Sequence, residues 1–516
     1  MGKVVVTDVD IHADVVIVGA GAGGATLGAE LAEAGAGVAF IEAGKDLDIT
    51  YGSPSHFAAS QEFYDCAVRD NLLWHEEFEG RPWRTDMGEC AGGGTTTYGG
   101  VLEESVPQDY ATWPITYEQL VPYFTLAKSR YHVHRWPNFH LSDYAKAMRT
   151  ASGKQLSAIQ SAFNKVAYTD AYGVYHDHCR QCRFCMLGCM FNAKATALTI
   201  ALPKARYYGA YVEDMSLATR INYIGRKISS ITYIKRTPIG PGMETILHKT
   251  AYADKFILAA GTMMTPMILY WSGIAGNPMC NSSGQVGKNL RGHFFRVTFG
   301  ILARDDIKTY QGNLVELNDL YQNYNNGYML EFNMVAPPSY MGGIFEILEK
   351  TDAMNMLGVN TKRLMRKYGK IAMSAPLARA DNASPTSNCI KQHSYKLNKY
   401  ALPLPQVVLE PNAQESAWVV AGVNDAKTIL TAAGCPTNEQ YTGRVDVVHK
   451  TGTCRMGTSA SNSVVDVNGK CWDMDNLWIA DASIFPTSPL SNCCLTIYAL
   501  GYKIADGMLN RATPPA

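Results

Sequence analysis

A strand, a glycine-rich loop, a helix and a second strand follow one another within the first 42 residues of the chain. Residues 13–18 form a β-branched run typical of a strand buried on both faces of a parallel sheet. This run leads into Gly19-Ala20-Gly21-Ala22-Gly23-Gly24, which fits the pattern G-x-G-x-x-G. Small residues and helix formers continue to Ala34, and the run 38–41 ends at Glu42. This order predicts a Rossmann-like domain that binds a dinucleotide.

The glycines of this loop and the acid after it have predicted roles. Gly19 makes the tight turn, Gly21 lets the backbone approach a pyrophosphate, and Gly24 lets the helix pack closely on the strand. The N-terminus of the helix offers free N–H groups to phosphate. Glu42, eighteen residues after Gly24, can accept a hydrogen bond from a ribose hydroxyl. A glycine-rich turn in an α/β domain without a ligand is the alternative, but it does not explain the position of the acid.

The length and charge of the chain exclude some classes of protein. With 516 residues, the chain is too long for one hydrophobic core, so we expect two or three domains. Hydrophobic residues make up 47% and charged residues 18%, which is the composition of a globular protein. The 46 Lys and Arg residues balance the 46 Asp and Glu residues, so no nucleic-acid-binding surface is expected.

The sequence predicts neither an export signal nor a membrane span. Lys3, Asp8, Asp10 and Asp14 interrupt any apolar core of a signal peptide. The uncharged run 256–271 has sixteen residues, fewer than the roughly 20 that a bilayer requires, so we interpret it as a buried strand followed by a helix. We expect a soluble chain in the cytoplasm, or one that reaches a membrane or the periplasm through a partner subunit that carries the export signal.

Six further segments resemble, in order, those of the glucose–methanol–choline (GMC) oxidoreductase family. They lie at 92–98, 113–123, 256–266, 286–293, 449–457 and 479–487. The first, Gly-Gly-Gly-Thr-Thr-Thr-Tyr, resembles the family's glycine–threonine loop beside the flavin ring, and the fifth reads H-x-x-G-T-x-x-M-G. The resemblance extends from about residue 13 to about residue 510. It implies that the dinucleotide is FAD.

The resemblance also implies which residues meet the FAD. Gly93 and Gly94 have no side chains, so their backbone N–H groups can approach the N5 edge of the flavin. Asp481 ends an apolar strand at the carboxyl edge of a sheet, where ligands bind, although it can also cap the next helix. The predicted cofactor-binding residues are Gly19, Gly21, Gly24, Glu42, Gly93, Gly94, Thr95, Asp481 and Cys493.

His449 and Asn492 match the family's catalytic pair. Oxidation of an alcohol by a flavin requires a base that takes the hydroxyl proton while hydride leaves the carbon. A neutral imidazole with a pKa near ~6.5 suits that role, and Asn492, which does not titrate, would position the substrate oxygen. The alternatives are a core histidine bonded to the backbone and a helix N-cap. Cys493-Cys494 follows Asn492 where the family often has Pro, which is a departure from its pattern.

Four of the thirteen cysteines lie within eleven residues. Cys179, Cys182, Cys185 and Cys189 have the spacing C-x2-C-x2-C-x3-C, which is that of ferredoxin cluster ligands, with Met190 in place of the final Pro. We therefore predict an iron–sulfur cluster, preferably 4Fe–4S. The alternative is 3Fe–4S, the type in the family's iron–sulfur members. Zinc is the second choice of ligand, and a disulfide-stapled loop is the third.

A cluster near a flavin indicates a dehydrogenase, because it moves single electrons outward, whereas an oxidase reduces oxygen directly. The predicted function is FAD-dependent oxidation of the CH–OH group of an alcohol or sugar. The electrons would pass to a protein or quinone-linked acceptor, or to a small accessory subunit. An alcohol oxidase with a non-redox cysteine loop is the alternative. A non-catalytic electron-transfer or flavin-storage subunit is an alternative of a different class.

We predict an α/β fold in which the Rossmann-like FAD-binding domain is built from discontinuous segments. An α+β substrate domain would place an antiparallel sheet over the flavin. The predicted FAD-binding segments are 1–120, 215–295 and 441–516. The substrate-domain segments are 121–214, which contains the cysteine loop, and 296–440. The stretch 341–373 mixes Met with Lys and Arg and is expected to form an exposed helical insert.

Overall fold

The structure is a computed structural model. It describes residues 2–47, 88–153, 155–183, 185–187, 189–240, 243–334, 358–380, 387–512 and 514. Three large sheets organise these residues, and we call them the parallel, the mixed and the antiparallel sheet.

The parallel sheet contains the predicted dinucleotide-binding strands. Its order is Tyr211–Glu213, Val38–Ile41, Val15–Val18, Lys255–Leu258 and Leu477–Ile479, and all neighbours run parallel. All residues of Val15–Val18 and Val38–Ile41 are buried, as expected for strands that are covered on both faces. The helix Ala22–Glu33 packs on these two strands, and the C-terminal helix Cys494–Leu509 packs on that helix.

The mixed sheet lies beside the parallel sheet. Its order is Val5–Val6, Asp10–His12, Met243–Tyr252, Lys227–Gly240 and Ser216–Ile224. The Oγ of Ser272, just after the helix Gly261–Trp271, accepts a hydrogen bond from the N–H of Ile221 at 2.9 Å. This bond joins the mixed sheet to the helix that follows the parallel-sheet strand Lys255–Leu258.

The antiparallel sheet has six strands and contributes residues to the candidate site. Its order is Gln440–Thr451, Arg291–Ile301, Ile371–Ala378, Tyr328–Met334, Val315–Asn318 and Ser157–Ala158. The helix Ala413–Ala432 packs on this sheet. That helix begins with a capping box, in which the Asn412 side chain accepts from the Glu415 N–H and the Glu415 carboxylate accepts from the Asn412 N–H.

The remaining elements are short. Three two-stranded sheets pair His134–Arg135 with Gln160–Ser161, Tyr168–Thr169 with Tyr175–His176, and Cys389–Leu397 with Pro403–Val408. The other α-helices are Gly94–Thr97, Tyr117–Arg130, Asp143–Ala151, Leu202–Tyr207, Leu320–Asn323 and Val359–Arg366. Single turns of 3₁₀-helix occur at Pro107–Tyr110, Asn138–His140, Cys185–Leu187, Tyr324–Asn326, Tyr368–Lys370, Thr437–Glu439 and Ala482–Ile484, and a π-helical turn at Ala197–Ala201.

The expected helical insert at 341–373 is only partly observed. Residues 341–357 lie outside the described residues. Val359–Arg366 is a helix, but Ile371 begins a buried strand near the middle of the antiparallel sheet, so the expectation is wrong at that end. A strand covered on both faces lacks the polar alternation that would have distinguished it from a helix.

The predicted segment boundaries cross two strands of the antiparallel sheet. Arg291–Ile301 extends across the boundary at 295, and Gln440–Thr451 across the one at 440. The uncharged run 256–271 is a buried strand and a helix, as expected. Within the described ranges, no helix is long and apolar enough to cross a bilayer.

Candidate active site

The N-terminal glycine loop, Gly19–Gly24, is packed too tightly for side chains at most of its glycines. Gly19 has a φ of +96°, and a Cβ placed there would lie 2.4 Å from the carbonyl oxygen of Ala259. A Cβ on Gly23 would lie 1.8 Å from the carbonyl oxygen of Ala480, and one on Gly24 would lie 2.2 Å from that of Gly19. The helix therefore packs closely on the strand ends, as predicted for Gly24.

Gly21 differs from its neighbours. The nearest atom to a Cβ placed on Gly21 is Cα of Gly93, at 3.8 Å, and a Cβ on Gly94 would meet nothing within 4 Å. Protein packing among the described residues therefore does not require glycine at these two positions. Open space above both loops is what a bound dinucleotide would fill.

Glu42 holds the glycine loop through its backbone. One carboxylate oxygen accepts a hydrogen bond from the N–H of Ala20 and the other from the N–H of Gly44, each at 2.8 Å. Burial raises the pKa of Glu42 to about 7, although both hydrogen bonds oppose that shift. The ribose contact of Glu42 stays a prediction, whereas its contact with the loop is a feature of the protein itself.

The glycine–threonine loop, residues 92–98, lies against the N-terminal glycine loop. A Cβ on Gly93, whose φ is +54°, would lie 3.0 Å from Cα of Gly21. The hydroxyl of Thr95 donates to the carbonyl of Gly92 at 2.6 Å and accepts from the N–H of Ala197 at 3.0 Å. The threonine therefore fixes the turn that presents Gly93 and Gly94.

Asp481 joins the start of the helix Gly261–Trp271 to the turn Ala482–Ile484 at the carboxyl edge of the parallel sheet. One oxygen accepts from the N–H of Gly261 at 2.9 Å and from the hydroxyl of Thr265 at 2.6 Å, and the other accepts from the N–H of Ser483 at 2.8 Å. Asp481 is thus an N-cap for the turn Ala482–Ile484, as the alternative interpretation expected. Burial raises the pKa of this carboxyl.

These loops fit the FAD that the sequence implies. The N-terminal glycine loop, the glycine–threonine loop and the turn at Asp481 meet at one edge of the parallel sheet, where open-sheet folds bind dinucleotides. Gly21 and Gly94 border free space, and backbone N–H groups at the start of the helix Ala22–Glu33 suit a pyrophosphate.

The structure brings His449 and Asn492 together beside these loops. Nδ2 of Asn492 lies 3.4 Å from Nε2 of His449, although 43 residues separate them. Asn492 is 7% exposed, and the cap of the C-terminal helix is Cys493 rather than Asn492. The N-cap alternative for Asn492 is therefore not observed.

The backbone at His449 is strained. His449 has a φ of +55°, in the left-handed region that costs roughly 1–2 kcal/mol for a residue other than glycine. It lies at a bulge, because Val448 pairs with His293 while Thr451 pairs with Arg291, so the strand of His449 carries one extra residue. The bulge turns the imidazole toward Asn492.

His293 is a third member of this cluster. Its Nδ1 lies 3.1 Å from Nδ1 of His449, and the two rings are nearly perpendicular, with an interplanar angle of 80°. Burial and the neighbouring His449 hold the pKa of His293 well below its usual range. His293 belongs to a segment that the sequence comparison singled out, but its contact with His449 depends on strand pairing.

Glu331 is a fourth member, and the sequence offered no signal for it. It lies on the strand Tyr328–Met334, is 5% exposed, and accepts a hydrogen bond from Asn492. Burial raises the pKa of Glu331 to about 7, and the bond from Asn492 opposes this shift. Glu331 and His449 therefore both contact the amide of Asn492.

His449 is a weaker base in the folded chain than a free imidazole. Burial and the charge of Lys450 lower its pKa to about 4, so the expected value near ~6.5 is wrong. The imidazole is thus neutral throughout the physiological pH range. In that form it can take a proton.

Cys493 is buried directly before the C-terminal helix, next to Asn492. Its thiol hydrogen-bonds that of Cys494, and this contact, together with burial, raises the pKa of Cys493 well above its usual value. The thiol pair therefore directly follows Asn492 in the chain, and a contact between Cys493 and FAD stays a prediction.

The cysteine loop, residues 179–189, brings its thiols near one another. Burial raises the pKa of Cys179, and the nearby thiols of Cys185, Cys189 and Cys182 raise it further. The Sγ of Cys179 donates to Oδ1 of Asn313 at 3.2 Å. Four thiols suit an iron–sulfur cluster chemically, but over the parts of the chain that the structure describes no three potential ligands converge to hold a metal ion.

Lys194 connects the cysteine loop to the glycine–threonine loop. Its Nζ donates to two carbonyls of the glycine–threonine loop, those of Thr96 at 2.8 Å and Tyr98 at 3.0 Å. It also donates to the carbonyl of Cys185 in the cysteine loop. The side chain is 1% exposed, and burial lowers the pKa of Lys194 to about 8. The cysteine loop therefore packs against the loop predicted to border the flavin.

Comparison with known proteins agrees with this arrangement. A family model described as GMC oxidoreductase matches residues 13–295, and a second with the same description matches residues 385–501. The chain is 23% identical to 2-methyl-1,2-propanediol dehydrogenase of Mycolicibacterium austroafricanum, over 96% of this chain and 95% of that protein.

Solved structures share the fold. Pyridoxine 4-oxidase from Mesorbium loti superposes with a TM-score of 0.65 at 17% identity, over 96% of this chain and 99% of that one. A variant of formate oxidase from Aspergillus oryzae RIB40, studied for FAD modification, superposes with a TM-score of 0.67 at 16% identity, over 98% of this chain and 99% of that one. From the two family matches and the shared fold, we conclude that the chain belongs to the GMC oxidoreductase family, whose members are FAD-dependent oxidoreductases that act on CH–OH donors.

Proposed function

We propose that this chain oxidises the CH–OH group of an alcohol or sugar with His449 as the base and Asn492 as the residue that holds the substrate oxygen. The observation that carries the proposal is the 3.4 Å contact between Nδ2 of Asn492 and Nε2 of His449 at the edge of the flavin-binding loops. A hydroxyl that lies within hydrogen-bonding distance of both groups can donate to the imidazole and accept from the amide.

The roles of the residues follow from this geometry. When bound, FAD would supply the two-electron acceptor for the hydride that leaves the carbinol carbon. His449 takes the hydroxyl proton at Nε2, so the O–H and C–H bonds break and a carbonyl group forms. Asn492 donates to the substrate oxygen while the hydroxyl proton leaves for His449. Glu331 accepts from the same amide and holds it in that orientation.

The cysteine loop supports a dehydrogenase as the more specific function. Cys179, Cys182, Cys185 and Cys189 have ferredoxin-type spacing, and the thiols of this loop lie close enough to raise one another's pKa. In this proposal they hold an iron–sulfur cluster, preferably 4Fe–4S. When bound, the cluster would pass single electrons to a protein or quinone-linked acceptor or a small accessory subunit. The cellular location, cytoplasmic or at a membrane through that partner, stays a prediction with it.

An oxidase with a non-redox cysteine loop is the second candidate function. Two of the similar solved structures and one relative that covers 96% of this chain are named oxidases, whereas another relative with the same coverage is named a dehydrogenase.

One preparation distinguishes these functions. Protein purified without oxygen is analysed for FAD, iron and acid-labile sulfide and is then mixed with a panel of primary alcohols, diols and sugars. Bleaching of the flavin by one class supports alcohol or sugar oxidation, and failure of every class would falsify it. Iron and sulfide with slow peroxide formation in air support the dehydrogenase. A chain without iron that forms peroxide rapidly is the oxidase.

A further inference from the structure

His293 is buried against the candidate base and contacts Nδ1 of His449, whereas Asn492 lies at Nε2 of the same ring. It is 0% exposed on the strand Arg291–Ile301, and its Nδ1 faces Nδ1 of His449 at 3.1 Å. Both rings are neutral at physiological pH, because burial lowers both pKa values. A contact of this length between two neutral imidazoles is a hydrogen bond, so one Nδ1 carries a proton and the other accepts it.

The surroundings of His293 indicate which ring donates. The backbone carbonyl of Pro489 accepts a hydrogen bond from the His293 ring and so favours a proton on that ring. Nδ1 faces His449, so we assign this proton to Nε2, which is buried and makes no closer hydrogen bond among the described residues. With its proton on Nε2, His293 presents an unprotonated Nδ1, so the proton of the shared contact belongs to His449.

The surroundings of His449 lead to the same assignment from the opposite side. Asn492 directs Nδ2, a donor, at Nε2 of His449, and Glu331 accepts from the same amide. Reversing the amide would place its carbonyl oxygen against the Glu331 carboxyl, and two acceptors would then face each other whenever Glu331 is ionised. Nε2 of His449 must therefore be an acceptor, which again leaves the proton on Nδ1.

We propose that His293 is a positioning residue that holds neutral His449 with its proton on Nδ1, so that Nε2 is free to take the substrate proton. This inference rests on the proposed function, in which His449 is the base. The tautomer of a histidine is set by the hydrogen bond that its other nitrogen makes. Without an acceptor at the His293 position, the proton of His449 can move to Nε2, where the ring can no longer accept from a hydroxyl.

The test uses the holoenzyme and three substitutions at residue 293. His293→Asn places an amide oxygen near the position of Nδ1 and keeps the acceptor. His293→Gln places its polar atoms near Nε2 instead, and His293→Leu has no acceptor. His393→Leu is the matched control, because His393 is a buried histidine in another sheet, where its Nδ1 accepts from the N–H groups of Tyr395 and Lys396.

The first readout is the limiting rate of flavin reduction by substrate without oxygen, measured on protein with full FAD occupancy. We expect His293→Gln and His293→Leu to lower this rate about 10- to 100-fold, which is part of the roughly 10²–10⁴-fold contribution of a general base. The substrate dissociation constant should change little. His293→Asn should restore most of the rate, and His393→Leu should leave it unchanged.

The second readout is the tautomer itself, from the ¹⁵N chemical shifts of labelled histidine, with the His449 signals assigned by their loss in His449→Gln. In the unsubstituted chain and in His293→Asn, Nδ1 of His449 should carry the proton, and in His293→Gln it should not. This readout does not depend on turnover. If the leucine variant loses FAD, the asparagine and glutamine variants still provide the full contrast.

The outcomes separate this inference from the proposed function. Two results would show that the role of His293 is wrong while His449 remains the base. In the first, His449→Ala slows flavin reduction but His293→Gln reacts like the unsubstituted chain. In the second, the variants His293→Asn and His293→Gln are equally slow. Additive losses in the double variant His293→Gln/His449→Ala also overturn it, because a residue that acts through His449 has no effect once His449 is gone. If His449→Ala reduces flavin at the normal rate, both statements are wrong.

Discussion

Nζ of Lys194 lies 2.8 Å from the carbonyl oxygen of Thr96, and the same ammonium group donates to the carbonyl of Cys185. One buried side chain therefore holds the loop beside the flavin position and the cysteine loop in a fixed relation. The ammonium group also lies 5.0 Å from the centre of the Tyr98 ring. This contact makes Lys194 a residue on which both candidate redox sites depend.

Lys194→Met should destabilise the chain. Methionine keeps most of the volume but leaves three buried carbonyls without their donor, and hydrogen bonds to charged groups contribute about 1.5–3 kcal/mol each. We expect a loss of about 2–4 kcal/mol, because the removed charge was itself costly to bury. Thermal unfolding, followed by flavin fluorescence, measures the loss. Lys227→Met, at an exposed position, is the control, and equal midpoints for the two variants would contradict the structural role of Lys194.

Cys185→Ser should uncouple the proposed cluster from the flavin reaction. The contact with Lys194 uses the backbone carbonyl of Cys185, so the substitution leaves it in place. We expect loss of iron, normal flavin reduction by substrate, and a sharp fall in turnover with the one-electron acceptor relative to turnover with a two-electron dye. Cys389→Ser is the control, because Cys389 is a half-buried cysteine outside the cysteine loop, in the strand Cys389–Leu397. A ratio equal to that of the unsubstituted chain would remove electron relay from the cysteine loop.

Flavin reduction should depend on pH through His449. The base is active when neutral, and its pKa is lowered to about 4, so protonation of His449 should not affect the rate near neutral pH and should lower it as the pH decreases through about 4. Lys450→Met removes a positive charge that disfavours the protonated ring, which should raise the pKa and move the acid limb to higher pH. Burial raises the pKa of the nearby Glu331 to about 7, so ionisation of this carboxyl should add a smaller change in the rate near that pH. Reduction rates in Lys450→Met and Lys227→Met test this, and identical acid limbs contradict it.

Glu42→Ala should weaken FAD retention. The N–H groups of Ala20 and Gly44 lose their acceptor, which frees the turn that begins the glycine loop. A buried donor without a partner costs about 1–3 kcal/mol, and removal of a buried carboxyl offsets part of it. Glu213→Ala is the matched control, because Glu213 is a buried acid that ends the neighbouring strand. Dialysis followed by FAD quantitation should show greater loss from Glu42→Ala. The reverse order would show that Glu42 does not hold the loop.

Much of the nucleotide-binding half could be predicted because its signals are contiguous. The strand Val38–Ile41 has the predicted bounds, and the predicted helix after the glycine loop is Ala22–Glu33. These elements depend on neighbours in sequence: β-branched runs for strands, glycines for the turn and small residues for the helix.

The catalytic cluster could be predicted only in part. His449 and Asn492 were identified through their motifs, but the contact of His293 with His449 depends on the pairing of two strands and a bulge between them. Glu331 approaches Asn492 only because the strand Tyr328–Met334 lies near the middle of the antiparallel sheet. The pKa of His449 also depends on burial in the folded chain, which no local spacing indicates. Long-range pairing and burial are therefore the information that the motifs lack.

The assignment of His449 as base and Asn492 as positioning residue is tested most directly by rapid mixing of substrate with FAD-loaded His449→Ala and Asn492→Ala in the absence of oxygen. We predict that His449→Ala slows flavin reduction roughly 10²–10⁴-fold while FAD stays bound, because the substrate proton then has no acceptor. Asn492→Ala should slow the reaction less and weaken substrate binding more. Flavin reduction at the normal rate in His449→Ala would contradict the assignment, and a larger loss in Asn492→Ala would show that the two roles are reversed.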